Sequence, residues 1–197
     1  MYILGLTGSI GMGKSATAQM FRDFAIPVHD ADATVHQLMG PKGRATEQIE
    51  KAFPGSIQEN GAVDRQKLGE YVFENPQELK KLEAILHPLV RAEEQKFLRL
   101  QQLHKKSLVV LDIPLLFETH GEKRCDGVAV VSASKSLQYR RVMARTGMTS
   151  DKFAAILKKQ MPDFEKRKRA DFVILSGNGY RVARNKVKRI IQQVSYG

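Results

Sequence analysis

Five short apolar runs punctuate this chain, and helical spacing fills most of what lies between them. The runs are Tyr2–Leu6, Ile26–Val28, Leu108–Leu111, Val128–Val131 and Phe172–Leu175. None alternates polar with apolar positions, so each predicts a strand buried on both faces. Lys14–Phe24 places Ala18 and Phe21, with Ala25 just beyond, at helical spacing. Ala31–Met39 predicts a second helix, stopped by Gly40-Pro41. From there to Lys106 only helical patterns follow: Ala45–Phe53, Arg65–Phe73 and Glu78–Gln102. Turn residues from Gly55 to Gly61 and a break at Asn75-Pro76 separate them. Pro88 is expected to kink or restart the last helix, because it lacks an N–H and crowds the preceding turn. Lys135–Arg145 and Lys152–Gln160 read as basic helices. Arg181–Tyr196 reads as a terminal amphipathic helix, with Val182, Val187, Ile190, Ile191 and Val194 on its apolar side.

Strands alternating with helices predict a parallel sheet covered on both faces. Two stretches break the alternation. One, residues 35–104, is an all-helical insertion between the second and third strands. The other, residues 135–169, is a shorter helical excursion between the fourth and fifth. The expected organisation is therefore a core of residues 1–34, 105–134 and 170–197, a helical domain over 35–104, and a lid over 135–169.

Composition narrows the class without changing this picture. With 197 residues, 42% apolar and 27% charged, the chain is sized and mixed for one substantial soluble core. No apolar run approaches the roughly 20 residues that span a bilayer. The opening apolar residues give way at Gly8 to a glycine-rich turn, which is not the pattern of a secretory leader. A single cysteine, Cys125, excludes an intrachain disulfide framework and a cysteine metal cluster. A cytoplasmic protein is expected, with no membrane partner. The net charge of +11 favours anionic partners, either nucleic acid or a multiply phosphorylated small molecule. The basic residues concentrate from Arg140 onward without the interleaved aromatics that stack bases, which favours phosphate handling.

The sharpest chemical signal follows the first strand. Residues Gly8 to Ser15 read Gly-Ser-Ile-Gly-Met-Gly-Lys-Ser and fit the phosphate-binding pattern G-x-x-x-x-G-K-S/T. Glycines let successive N–H groups turn toward phosphate oxygens, and the following helix adds the positive end of its dipole. Lys14 can reach the β- and γ-phosphates of a nucleotide, and the Ser15 hydroxyl can ligate Mg²⁺.

Ligands in an open parallel sheet bind at the carboxyl ends of the strands. The second strand ends in Asp30-Ala31-Asp32 and the third in Asp112-Ile113-Pro114. Three carboxylates are thus expected near the phosphate loop. If the strand persists through Asp32, both acids share a face. If a helix starts there, one caps it and the other is free for substrate. Asp32 is the candidate base for a phosphoryl acceptor hydroxyl, while Asp30 either serves the same site or is a simple N-cap. Asp112 occupies the place of an acid that acts on Mg²⁺, directly or through water. Arg141 and Arg145, four apart on a predicted helix, share a face from which guanidinium groups can close on a transferring phosphoryl group. Arg140 reads as a solvated neighbour. His36 follows Asp32 by one helical turn and is a candidate for the same cleft. His87 either serves the insertion locally or meets substrate. His29, His104 and His120 show no metal-ligand spacing. Glu118 either closes a salt bridge near the site or caps a helix.

Taken in order, these residues resemble dephospho-CoA kinases. The set is Leu6 to Ser15, Asp30-Ala31-Asp32 with His36, His87-Pro88, and Leu111-Asp112-Ile113-Pro114-Leu115-Leu116-Phe117-Glu118. It continues with Arg141 and Arg145, Gln160, Lys166 and Ala170–Ile174, so that it runs from residue 2 to about residue 190. The resemblance implies a P-loop NTPase core, a three-layer α/β/α sandwich on a five-stranded parallel sheet. It also implies a helical CoA-binding domain and a lid. The implied reaction moves the ATP γ-phosphate to the ribose 3′-hydroxyl of dephospho-CoA, the last step of coenzyme A synthesis. By position it gives Gly8, Gly11, Met12, Gly13, Lys14, Ser15, Ala16, Arg141 and Arg145 to ATP. It gives Asp32, His36, His87 and Leu115 to the acceptor, and Mg²⁺ to Ser15, with Asp112 acting through water. The catalytic set is Asp32, Lys14 and Arg141. No nucleic acid and no obligate protein partner are implied. Ala16 stands where the family often has threonine, and Leu175-Ser176 where it often has Asp-Asn beside the adenine. The competing readings are another P-loop kinase for a small metabolite or nucleoside monophosphate, and a nucleic-acid-binding NTPase.

Overall fold

The computed structural model describes residues 1–73 and 75–195. Their strands are β1 (Tyr2–Thr7), β2 (Val28–Asp30), β3 (Leu108–Asp112), β4 (Gly127–Ser132) and β5 (Phe172–Leu175). They form one sheet in the order β2-β3-β1-β4-β5. β1 pairs in parallel with β3 and β4, and β4 with β5. The phosphate-loop strand is therefore central, and Leu6 lies in register with Asp112. β3 and β4 are buried at every residue, as unalternating apolar runs require.

The helices are α1 (Lys14–Asp23), α2 (Ala31–Leu38), α3 (Thr46–Ala52), α4 (Arg65–Val72), α5 (Pro76–Leu103), α6 (Lys135–Met143), α7 (Ser150–Lys158), α8 (Asp163–Arg169) and α9 (Tyr180–Ser195). Tyr196, expected at the end of the terminal helix, lies outside the described residues. The chain divides into two compact units, residues 1–29 with 101 onward, and residues 30–100.

In the first unit, one sheet face buries Leu4, Leu6, Val110, Ala129, Val131 and Ile174 against Ala18, Met20 and Phe21 of α1 and Val187 and Ile190 of α9. The other face is covered by α8 and the segment after β3. That segment comes very close: a Cβ at Gly5 would lie 2.8 Å from Leu116 Cδ2 and 2.9 Å from Cys125 Sγ. The layers are helix, sheet and helix, the architecture expected from the sequence.

The second unit has its own core of Leu38, Ala45, Ile49, Phe53, Leu68 and Leu82, with the Phe53 ring tilted against Tyr71 at 5.6 Å. Across the turn region from Gly55 to Gly61, Ile57 and Val63 form an antiparallel bridge that helical patterns alone do not foresee. The helix is not restarted at Pro88, for α5 runs continuously from Pro76 to Leu103. Pro88 forfeits one backbone bond, but Leu82, Ile85, Leu86, Leu89 and Val90 pack on the same core before and after it. Burial on both sides outweighs the lost bond.

Candidate functional site

β1 ends at Thr7 and the chain curls at once. Gly11 and Gly13 take φ of +78° and +93°, a region that L side chains resist. Space forbids side chains there as well. A Cβ at Gly8 would lie 2.7 Å from the Val131 carbonyl oxygen, and one at Gly11 2.6 Å from Val142 Cγ2. Gly13 is the N-cap of α1 and offers no side-chain cap, so the first N–H groups of α1 have no intrahelical acceptor. A helix start of this kind can bind an anion. Ser15 and Ala16 are exposed in this first turn.

The loop is held from several elements. Ile10 donates its N–H to Gln160 Oε1 at 3.0 Å, and its carbonyl accepts from Gln138 Nε2 at 2.8 Å. Met12, nearly buried, takes the Ala133 N–H on its sulfur at 3.1 Å. Its carbonyl accepts from Ser176 Oγ at 2.6 Å. Arg141 on α6 donates to Ser176 Oγ at 2.8 Å, to the Ser176 carbonyl at 3.2 Å and to the Gly11 carbonyl at 3.4 Å. A basic side chain thus lies beside the loop without a carboxylate among these partners.

On the other side of β1, Lys14 Nζ sits 2.6 Å from Asp112 Oδ1, and Asp112 is 2% exposed. Two residues further, the Pro114 carbonyl accepts from Thr7 Oγ1 at 2.9 Å and from Lys166 Nζ at 3.2 Å. Lys166 is fully buried and pairs with Glu118 at 2.9 Å. Of the two readings of Glu118, the salt bridge holds, and its Oε1 also accepts the Met161 N–H at 2.7 Å. Leu115 follows Pro114 and is partly exposed.

One helical expectation fails. α6 stops at Met143, and Arg145 lies beyond its cap residue Ala144, exposed, with its N–H on the Val142 carbonyl at 3.0 Å. Arg141 and Arg145 therefore do not share a helix face. The chain turns at Gly147, whose φ of +72° cannot continue a helix.

Of the acceptor candidates, Asp32, His36 and His87 lie in the second unit and Leu115 in the first. Asp30 caps α2, its Oδ1 accepting from the Ala33 N–H at 2.9 Å, so the helix starts directly after β2. Asp32 occupies the exposed first turn of α2. His36, one turn on and exposed, has Nε2 3.0 Å from Arg65 Nη1. His87 is exposed in the middle of α5. Among the described residues no group of three or more His, Cys, Asp or Glu could hold a metal ion. No helix there is long and apolar enough to cross a membrane.

Sequence reasoning missed Gln138, Thr7 and Arg65, and read Ser176 only as a departure. Gln138 stands three residues before Arg141, which was the available signal for it. Thr7 lies inside the Leu6–Ser15 stretch without a role of its own being assigned, and Arg65 carried no signal.

The comparisons agree with one another. The family profile described as dephospho-CoA kinase matches residues 2–181. A dephospho-CoA kinase from Paramagnetospirillum magneticum is 60% identical over 85% of this chain and 78% of its own length. One from Mesorhizobium japonicum is 53% identical over 98% of this chain and 97% of its own. Among solved structures, the dephospho-CoA kinase from Campylobacter jejuni superposes with a TM-score of 0.68. It is 28% identical and covers 99% of this chain and 98% of that one.

Proposed function

The chain belongs to the dephospho-CoA kinase family, and from that premise we propose which of its residues carry the reaction. It is an ATP-dependent kinase that phosphorylates dephospho-CoA in coenzyme A synthesis. The observation that carries the site reading is the glycine turn of residues 8–13, with Lys14 and Arg141 held beside it.

In this reading the N–H groups of Gly11 to Ala16 and the Lys14 ammonium bind the ATP phosphates. Asp32 takes the proton of the ribose 3′-hydroxyl as its oxygen attacks the γ-phosphorus. The bond from that phosphorus to the β–γ bridging oxygen breaks, and ADP leaves with the electron pair. Charge gathering on the transferred group and the leaving oxygen is met by Lys14 and Arg141. Arg145 joins them when the segment 135–169 acts as a lid, which also excludes water from the transfer. Residues 35–104 are the acceptor domain, with His36, His87 and Leu115 assigned to dephospho-CoA.

The donor set suits Mg²⁺, a hard cation that keeps waters and phosphate oxygens and needs few protein ligands. The exposed Ser15 hydroxyl would hold it directly and Asp112 through water; when bound, it supplies charge neutralisation on the β- and γ-phosphates. Cytoplasmic work without an obligate protein partner or nucleic acid completes the reading; against nucleic acid stands the exposed Asp32 carboxylate, which would repel its backbone.

A coupled ADP assay tests this, with mass spectrometry of the product. ADP release should depend on dephospho-CoA, and should not appear with AMP, shikimate or gluconate. Turnover with AMP and none with dephospho-CoA would overturn it.

A further inference from the structure

Ser176 stands in the short 3₁₀ turn after β5. The sheet register explains its reach. Leu175 pairs with Ser132, so the next residues, Ser176 and Ala133, leave neighbouring strands side by side. Both end on Met12: Ala133 N–H on its sulfur at 3.1 Å, Ser176 Oγ on its carbonyl at 2.6 Å.

The roles in this cluster follow from the atoms. The Met12 carbonyl only accepts and a guanidinium only donates. The Ser176 hydroxyl therefore gives its one proton to Met12 and takes an N–H from Arg141, at 2.8 Å. The Ser176 carbonyl takes a second Arg141 N–H at 3.2 Å. One residue thus grips the fork of the guanidinium at two points and is itself fastened to the phosphate loop. Every acceptor in this grip is a neutral oxygen, so the full charge of Arg141 stays available for an anion. Gly13 leaves the room required, since a Cβ there would lie 2.9 Å from Ser176 Oγ and 3.3 Å from Arg141 Nη1.

We propose that Ser176 is a positioning residue for phosphoryl transfer, latching the Arg141 guanidinium to the phosphate-binding loop through its hydroxyl. This rests on the assignment of Arg141 to the nucleotide. An arginine loses much rotamer freedom when it engages an anion, and a latch that fixes it beforehand removes that cost from the transition state. The loop after β5 then acts on the reacting phosphates through Arg141.

The test is steady-state kinetics on Ser176→Ala, Ser176→Thr, Arg141→Ala and the double variant Arg141→Ala with Ser176→Ala, each with a melting curve. Ser176→Ala should lower kcat about tenfold, the worth of a hydrogen bond to a charged group. Its melting temperature should stay near that of the unsubstituted enzyme, and KM for dephospho-CoA within about twofold. Ser176→Thr, which keeps the hydroxyl, should recover most of kcat. In the Arg141→Ala background, removing the Ser176 hydroxyl should change nothing further. If the alanine variant does not fold, Ser176→Cys keeps the volume with a weak thiol and should give the same loss. A full kcat in Ser176→Ala while Arg141→Ala is impaired overturns the latch alone. An equal tenfold loss with and without Arg141 does the same. Full activity in Arg141→Ala overturns both the latch and the assignment of Arg141.

Discussion

Lys14 and Asp112 meet at 2.6 Å, joining the first residue of α1 to the last residue of β3. The pair follows from register: Asp112 pairs with Leu6, so the strand beside β1 ends in an acid where the phosphate loop begins. Asp112 is 2% exposed and the Lys14 side chain 15%, so neither charge has water enough to stand alone. Asp112→Ala should cost about 3 kcal/mol in urea unfolding, the usual effect of breaking a buried pair. Its turnover should fall at least about tenfold as Lys14 loses its fixed position. Lys14→Ala should weaken ATP binding and slow turnover together, and unchanged kinetics would refute a working phosphate loop.

Asp30 and Asp32 are two residues apart and should behave as different kinds of group. Asp30 spends its carboxylate on the Ala33 N–H at 2.9 Å. Asp30→Ala should therefore lower stability by about 1 kcal/mol, the ordinary loss of an N-cap. Asp32 is exposed in the first turn of α2. Asp32→Asn should leave ATP binding and the unfolding midpoint intact and lower kcat about 10²-fold or more, as loss of a general base does. Isothermal titration with ATP beside the coupled ADP assay separates the two effects. A near-normal rate in Asp32→Asn would assign it to structure.

The fold was legible because its signals were local. Continuous apolar runs marked β3 and β4, and the glycine spacing marked the loop. Pro88 and Arg145 misled for opposite reasons. At Pro88 the local rule offered a kink or a restart, and the restart does not occur where Leu82, Ile85 and Leu89 pack on one core before and after it. At Arg145 the i, i+4 spacing promised a shared face, but the helix had already ended at Met143. The clasp around the loop was legible only in part, since the resemblance marks Gln160 and Arg141 but not the loop atoms they hold. Gln138, Gln160 and Ser176 reach residues 10–12 from well over a hundred residues away in sequence. Only the order of strands brings them there.

Gly13→Ala and Gly55→Ala should divide stability from activity. Both glycines have positive φ, +93° and +76°. An alanine at either should cost about 1 kcal/mol of backbone strain. At Gly55 nothing lies within 4 Å of the added Cβ, so turnover should hold. At Gly13 the Cβ meets Ser176 Oγ at 2.9 Å, and the loop or its clasp has to move. Its turnover should fall at least about tenfold beyond that of Gly55→Ala at matched stability. Parallel rates for the two variants would mean that the clasp has no part in catalysis.

Lys166 and Glu118 should prove unequal partners. Lys166 is 0% exposed and Glu118 16%, with 2.9 Å between them. Glu118→Ala leaves a fully buried ammonium with the Pro114 carbonyl at 3.2 Å, and should destabilise by about 3–5 kcal/mol. Lys166→Met leaves a carboxylate that still accepts the Met161 N–H at 2.7 Å, and should cost less. Lys166→Met combined with Glu118→Ala removes both charges and should be more stable than Glu118→Ala alone. Its turnover should still be reduced, because Pro114 keeps only the Thr7 hydroxyl at 2.9 Å and lies two residues after Asp112. Urea unfolding and the ADP assay on the three variants read the two quantities separately. Strictly additive stabilities would show that the two charges do not depend on each other. Full turnover in the double variant would confine the pair to holding the fold.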